Sequence, residues 1–410
     1  MSAISSSSAP VVETRVPARK WWLAQRAPGP VDGFRLVAGA ALFVHFGGHL
    51  SGSVPFLAWS GIYDPRFLGP GWWVRVSWLA SGLSPTELQL FFASAMLLAL
   101  AVAVGVAPRA SAAALFCMSV ATYWAIFPVA DLSDYLASVT TLFLTLMPVG
   151  RACTLFDASR LSSARTVPGS AVTMFLVQIA FVYLSGGLGA FSSTEGDRYA
   201  QAATRAIPIA FILPVPGLRF LGVTLQLCAH GYWIAKSHLI FANVILAASG
   251  ILFWGEVEDD AHSRPWVMDG GAVVGALYAL TVLVAEGDSL VGVPAAPAVH
   301  VLADLGLLPR RIEPLPETGD SLSVVVKDTG ERVGACSMDG LRQRRLAAYF
   351  GPNHDAGPMR LSVSSAIAER HCREKGYWGQ VGSLVWSDEA GDHPIVEFEC
   401  GSGGSLAQLR

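Results

Sequence analysis

Charge is scarce in this chain: 28 lysines and arginines and 31 acids make up 14% of 410 residues, and the formal net charge is only −3. A nucleic-acid binder needs a concentrated basic surface, and the basic residues near the start read better as a topological anchor, so no nucleic-acid partner is expected. Cysteine is sparse as well, with six residues, no Cys-x-x-Cys and no metal-site spacing. Cys117, Cys153, Cys228, Cys336, Cys372 and Cys400 therefore read as small buried or free thiols. Met1 to Pro10 is rich in serine and alanine without an apolar core, and no signal peptide with a cleavage site precedes the first apolar run. No inverted repeat suggests a transporter, and no compact catalytic signature occurs.

What the chain has is apolar length. Hydrophobic residues make up 52%, mean hydropathy is +0.47, and the charges collect at the two ends. From Gly33 to Glu286, apolar runs close to the ~20 residues needed to cross a bilayer recur between short polar hinges. They lie at 33–51, 87–107, 110–130, 135–150, 168–191, 206–235, 238–254 and 270–285, with 206–235 interrupted by Pro208, Pro214 and Pro216. The expected fold is an all-α polytopic membrane bundle of about eight transmembrane helices, seven or nine being open at the proline-rich run, followed by a small C-terminal α+β soluble domain. Four segments result: a basic, largely disordered stretch over 1–32, a transmembrane domain over 33–290, a Pro-rich linker over 291–320 and the soluble domain over 321–410.

Lysine and arginine counts in the short loops put the N-terminus, the Arg109 turn and the Arg151 to Arg165 loop on the cytoplasmic side. An even number of spans then returns the tail to the cytoplasm. The expected location is the cell membrane, with the lipid bilayer as first partner, and Trp59, Trp72, Trp73 and Trp78 suit an interfacial loop. In the tail, Ser321–Lys327 and Arg332–Cys336 read as strands around an Asp328-Thr-Gly turn. Ser364 can cap a helix running through Gly376, and Val381–Trp386 and Ile395–Cys400 read as a closing pair of strands.

Several blocks carry a family resemblance. Val104-Gly-Val-Ala-Pro-Arg-Ala-Ser111, the run from Asp131-Leu-Ser-Asp134 to Met147-Pro-Val-Gly150, Gln178-Ile-Ala-Phe-Val-Tyr183 and Ala229-His-Gly-Tyr-Trp233 occur in an order that resembles the horizontally transferred transmembrane domain family. That family includes vitamin K-dependent γ-carboxylase and the membrane subunit that helps mature the sporulation-delaying peptide toxin of bacilli. The likeness runs from about Gly33 to Trp254. In the carboxylase branch, a lysine six or seven residues after the tyrosine matching Tyr183 is the base that deprotonates the quinol. Here Gly189 and Ala190 stand at those places, and neither accepts a proton. The Asp131 to Asp134 hinge replaces the carboxylase's Asn-His element and is closer to the toxin-maturation pattern.

His230, where the family carries a histidine, and Tyr183 are the candidate catalytic residues. An imidazole in an apolar span can relay a proton or serve as a buried hydrogen-bonding group. Asp131, Asp134, Glu195 and Asp197 form a candidate ligand-binding cluster at the outer face, able to hold a cation or meet a basic peptide, or simply to solvate span ends. His45 and His49, four apart, can share a helix face. Without a carboxylate or third ligand beside them no metal site is assigned. Gly186, Gly187 and Gly189 suit close helix packing, Gln178 an interhelical hydrogen bond, and Cys372 beside His371 a remote chance of thiol chemistry. The resemblance implies an accessory or maturation factor for a small secreted peptide, working with a partner maturation protein. The alternative is a membrane-embedded enzyme acting on a lipid-soluble cofactor or substrate, of a kind the sequence leaves unknown.

Overall fold

The structure, a computed structural model of the chain, describes residues 28–52, 83–126, 130–147, 169–184, 207, 216–236, 240–254, 321–334, 358–375, 379–388, 391–401 and 406–409. Their elements are α1 (Pro28–Gly52), α2 (Pro85–Val104), α3 (Pro108–Ala125), α4 (Leu132–Leu146), α5 (Gly169–Leu184), α6 (Pro216–Lys236) and α7 (Ile240–Ser249), the last tightening into a 3₁₀ turn, Gly250–Trp254. Strands β1 (Ser321–Val326) and β2 (Arg332–Gly334), helix α8 (Pro358–Lys375), and strands β3 (Val381–Asp388), β4 (Gly391–Cys400) and β5 (Leu406–Leu409) follow. The expected interfacial tryptophans, the Arg151 to Arg165 loop, the run 270–285 and the Pro-rich linker lie outside the described residues.

Among the described residues the expected bundle of about eight transmembrane helices is not formed: one helix, α2, is long and apolar enough to cross a membrane. The others fail for two reasons that hydropathy along a sequence cannot separate. Helix α4 ends after 15 residues, α5 is described over 16, and α7 runs 10 before its 3₁₀ turn; fifteen residues of helix reach only about 22 Å across a hydrocarbon layer of ~30 Å. Helices α1 and α6 are long enough, with 25 and 21 residues, but are diluted by Asp32, Arg35, His45 and His49 in one and Arg219, Gln226, His230 and Lys236 in the other. Among the described residues, helix ends and polar side chains thus divide runs whose summed hydropathy resembles a span.

Helix α2 shows how local chemistry sets these ends. Ser84 accepts from the Glu87 N–H at 3.3 Å while the Glu87 carboxylate accepts from the Ser84 N–H at 2.7 Å, a reciprocal cap with Pro85 in the first turn. Gly105, at φ 85°, closes the other end in the left-handed region, its N–H reaching back to Ala101 and Val102. Next to that end α1 comes very close. A Cβ on Gly39 would stand 2.6 Å from the Ala103 backbone nitrogen, so only glycine lets the two helices meet there.

Arg35 completes the same end of α2. It is buried, donates from Nη1 to the carbonyls of Val102 and Ala103, the latter at 2.7 Å, and pairs through Nε with Asp32 Oδ1 at 3.2 Å. A guanidinium suits the negative end of a helix, where the last carbonyls lack intrahelical donors. With Arg15, Arg19, Lys20 and Arg26, Arg35 is one of the basic residues near the start expected to act as a topological anchor, and it is instead an interior residue. Helix α1 also begins at Pro28, inside the stretch expected to be disordered.

The C-terminal strands form a five-stranded antiparallel sheet in the order β2-β1-β3-β4-β5. Gly330, at φ 68°, allows the turn that joins β1 to β2, its N–H donating to the Val326 carbonyl at 2.8 Å. Alternate residues Leu322, Val324 and Val326 point to one face and are buried with Leu384, Trp386 and Phe398. Helix α8 packs on the sheet and buries Val363, Ile367, Ala368 and Cys372. Cys372 and Cys400, expected as separate thiols, are joined in a disulfide between α8 and β4, with Cα atoms 5.3 Å apart. Cys117 and Cys228 are free and exposed.

Candidate functional site

Two of the residues singled out in the sequence meet inside the helical unit. Tyr183, near the end of α5, and His230, on α6, are fully buried, with the phenol oxygen 2.6 Å from His230 Nε2. The other ring nitrogen, Nδ1, lies 2.8 Å from Asn243 Oδ1 on α7. A carbonyl oxygen only accepts, so Nδ1 carries the proton and Nε2 is left to accept from the Tyr183 hydroxyl. Gln226, one turn before His230 on α6, donates to the Tyr183 oxygen at 3.1 Å, and also to Ser249 Oγ at 3.0 Å and to the Leu246 carbonyl. The phenol is therefore held as donor to the imidazole and acceptor from the amide at once.

This chain of contacts has the parts of a positioned proton acceptor: a neutral imidazole nitrogen, a proton source in contact with it, and a third group fixing ring and tautomer. Three helices supply them. Gln178, expected to bond another helix, does so: its Nε2 donates to the Tyr135 hydroxyl of α4.

The acidic candidates behave otherwise. Asp131 is the N-cap of α4, its carboxylate accepting from the Ser133 N–H at 2.6 Å and the Asp134 N–H at 3.2 Å, while Asp134 Oδ2 accepts from the Asp131 N–H at 2.9 Å. That is a reciprocal cap built from two aspartates. Both are buried, so neither offers an exposed acidic surface. Asp134 Oδ1 turns inward to α1, 2.9 Å from His49 Nε2 and 3.4 Å from His45 Nε2. Glu195 and Asp197 lie outside the described residues, as do Gly186, Gly187, Gly189 and Ala190. In the C-terminal unit the disulfide occupies Cys372, which leaves His371 no adjacent thiol nucleophile.

Asn243 and Gln226 were not singled out, although a signal was available. Each is a lone amide in an otherwise apolar run, and a buried amide must find partners. The partnership of His45 and His49 with Asp134, 89 and 85 positions away in the sequence, left no local signal at all.

No protein-family model, curated protein or solved structure matches this chain.

Proposed function

We propose that this chain is a membrane-associated protein that carries out proton transfer on a lipid-soluble cofactor or substrate, with His230 taking the proton, Tyr183 relaying it and Asn243 positioning the imidazole. The observation that carries the proposal is the buried Tyr183–His230–Asn243 chain in a helical unit whose apolar interior also holds polar side chains and whose outer surface carries large apolar ones. Asp32, Arg35, His49, Asp134, Gln178, Gln226, His230 and Asn243 are buried, while Val44, Leu90, Leu97 and Phe220 are each more than 60% exposed. In water that distribution is unfavourable twice over, since buried polar groups cost desolvation and exposed apolar surface costs roughly 25 cal/mol per Å². Against lipid the outer leucines carry no such cost, and the inner polar groups find their hydrogen bonds with one another. Helix α2, with only 28% of its most apolar stretch buried, is the element suited to cross.

The resemblance to the horizontally transferred transmembrane domain family supports a lipid-soluble partner of quinone type. It supports a peptide-maturation role equally; of the acids expected to meet a basic peptide, Asp131 and Asp134 are buried, and Glu195 and Asp197 lie outside the described residues. The chain should be purified in mild detergent from membranes, extracted with organic solvent, and the extract compared with that of the His230→Gln and Tyr183→Phe proteins. A quinone-type molecule should copurify with the wild type and be depleted in both variants, whose melting in detergent stays close to that of the parent. An extract no different from that of control membranes refutes the proposal, as does full retention by both variants.

A further inference from the structure

We infer that His45, His49 and Asp134 form a binding site for a divalent transition-metal ion of the zinc or iron(II) class. The inference goes beyond the proton-transfer proposal and does not rest on it. One donor atom from each of the three side chains lies within 4.8 Å of the other two, and Asp134 Oδ1 is 2.9 Å from His49 Nε2 and 3.4 Å from His45 Nε2. A metal bonded at about 2.0–2.2 Å to imidazole nitrogen and carboxylate oxygen holds neighbouring ligand atoms at about 3.0–3.5 Å, so the two carboxylate–imidazole sides are near the size an ion requires, and binding would draw the two imidazoles to the same spacing.

Each ligand is also held in place. His45 and His49 stand one turn apart on α1, which puts both rings on one side of the helix. The His49 ring stacks on Phe92 of α2 at 5.4 Å and 10°, and the His45 ring lies 4.6 Å from Phe241 of α7. Asp134 has its second oxygen occupied by the Asp131 N–H at 2.9 Å, which aims Oδ1 at the histidines. Such anchoring of the far side of a ligand is what metal sites use to fix their donors.

The donor set selects the ion. Two neutral imidazoles and one carboxylate suit zinc, iron(II) or cobalt(II), whereas calcium and magnesium take oxygen ligands. Three protein ligands leave at least one position open for water or a small ligand. The His49 and Asp134 side chains are 0% and 2% exposed and that of His45 is 9% exposed, so the open side is that of His45.

The full chain, purified in detergent and stripped with a chelator, should be titrated with cobalt(II) followed by visible absorption, and with zinc in competition. A single saturable site with the intense bands of a low-coordinate cobalt centre is expected. His45→Gln, at the most accessible ligand, and Asp134→Asn should each weaken binding at least about tenfold, and Asp131→Ala, which removes the cap that positions Asp134, by about tenfold as well. Helicity by circular dichroism identifies which variants remain folded. A folded wild type that takes up neither ion overturns the inference, and so does unchanged affinity in folded His45→Gln. Because the readout is bound metal, it is independent of whether His230 handles a proton.

Discussion

Arg35 offers the sharpest test of the helical interior, because its structural role and its role as a topological anchor predict different results. Replacing it with leucine removes the partner of Asp32 and the donor to the Val102 and Ala103 carbonyls at the end of α2. Both members of the ion pair are buried, at 1% and 3% exposure, so the loss is that of breaking a buried pair, about 3–5 kcal/mol. The carbonyl contacts belong to the same guanidinium and are not added again. Replacing Asp32 and Arg35 together by leucine removes both charges, and the double variant should be more stable than Arg35→Leu alone. Arg35→Lys keeps the charge but not the planar fork that reaches a carboxylate and two carbonyls at once, and should also lose stability. A surface anchor would accept lysine without loss. Denaturant unfolding of the detergent-purified variants, followed by circular dichroism, measures all three. An Arg35→Leu protein within about 0.5 kcal/mol of the parent, or a double variant no better than the single one, would refute this account of α1 and α2.

Gly39→Ala should destabilise the chain by about 1–3 kcal/mol, because the new methyl meets backbone of α2 and only separation of the helices can relieve it; a melting temperature unchanged in detergent would contradict the close approach. Cys400→Ala, which opens a disulfide spanning 28 residues, should cost the C-terminal unit roughly 3–4 kcal/mol on the chain-entropy scale, and thiol labelling of the denatured wild type should find Cys372 and Cys400 protected until a reductant is added. Such a bond persists in an oxidising compartment, so a phosphatase reporter fused after Arg310 should be active, against the cytoplasmic tail that loop charges suggest; an inactive fusion with free thiols would restore the loop-charge topology.

Legibility in the sequence followed the range of the interactions. The turn at Asp328-Thr-Gly, the strands around it and the end of the helix before β3 are legible to within a residue or two, because alternation and turn residues are local signals. That helix begins at Pro358, however, and Ser364, expected as its cap, is a buried residue inside it. The number of membrane crossings could not. Hydropathy sums over a run whether it forms one straight helix or ends early, and α4 and α7 end within apolar sequence. Tyr183 and His230 stand out through the family resemblance, His230 also as an ionisable group in an apolar run, but their contact, 47 positions apart, depends on how α5 and α6 pack. The aspartates at 131 and 134 carry a local signal more specific than an acidic cluster. Asp-x-x-Asp before an apolar run is a helix-capping pattern, and capping turns the carboxylates toward the backbone rather than outward as a cluster.

Helix α7 ties the two buried polar centres together. Phe241 and Asn243 are two positions apart, about 200° around a helix, and so lie on nearly opposite sides of it. Phe241 packs on the His45 ring and Asn243 bonds the His230 ring. One short helix thus contacts the His45–His49–Asp134 triad on one side and the Tyr183–His230–Asn243 chain on the other. Its next turn presents the Leu246 carbonyl and the Ser249 hydroxyl to Gln226, which fixes the rotation of α7 about its own axis. A rotation that improved one ring contact would misplace the other, so residues that touch neither histidine, Gln226 and Ser249 above all, set the geometry of both.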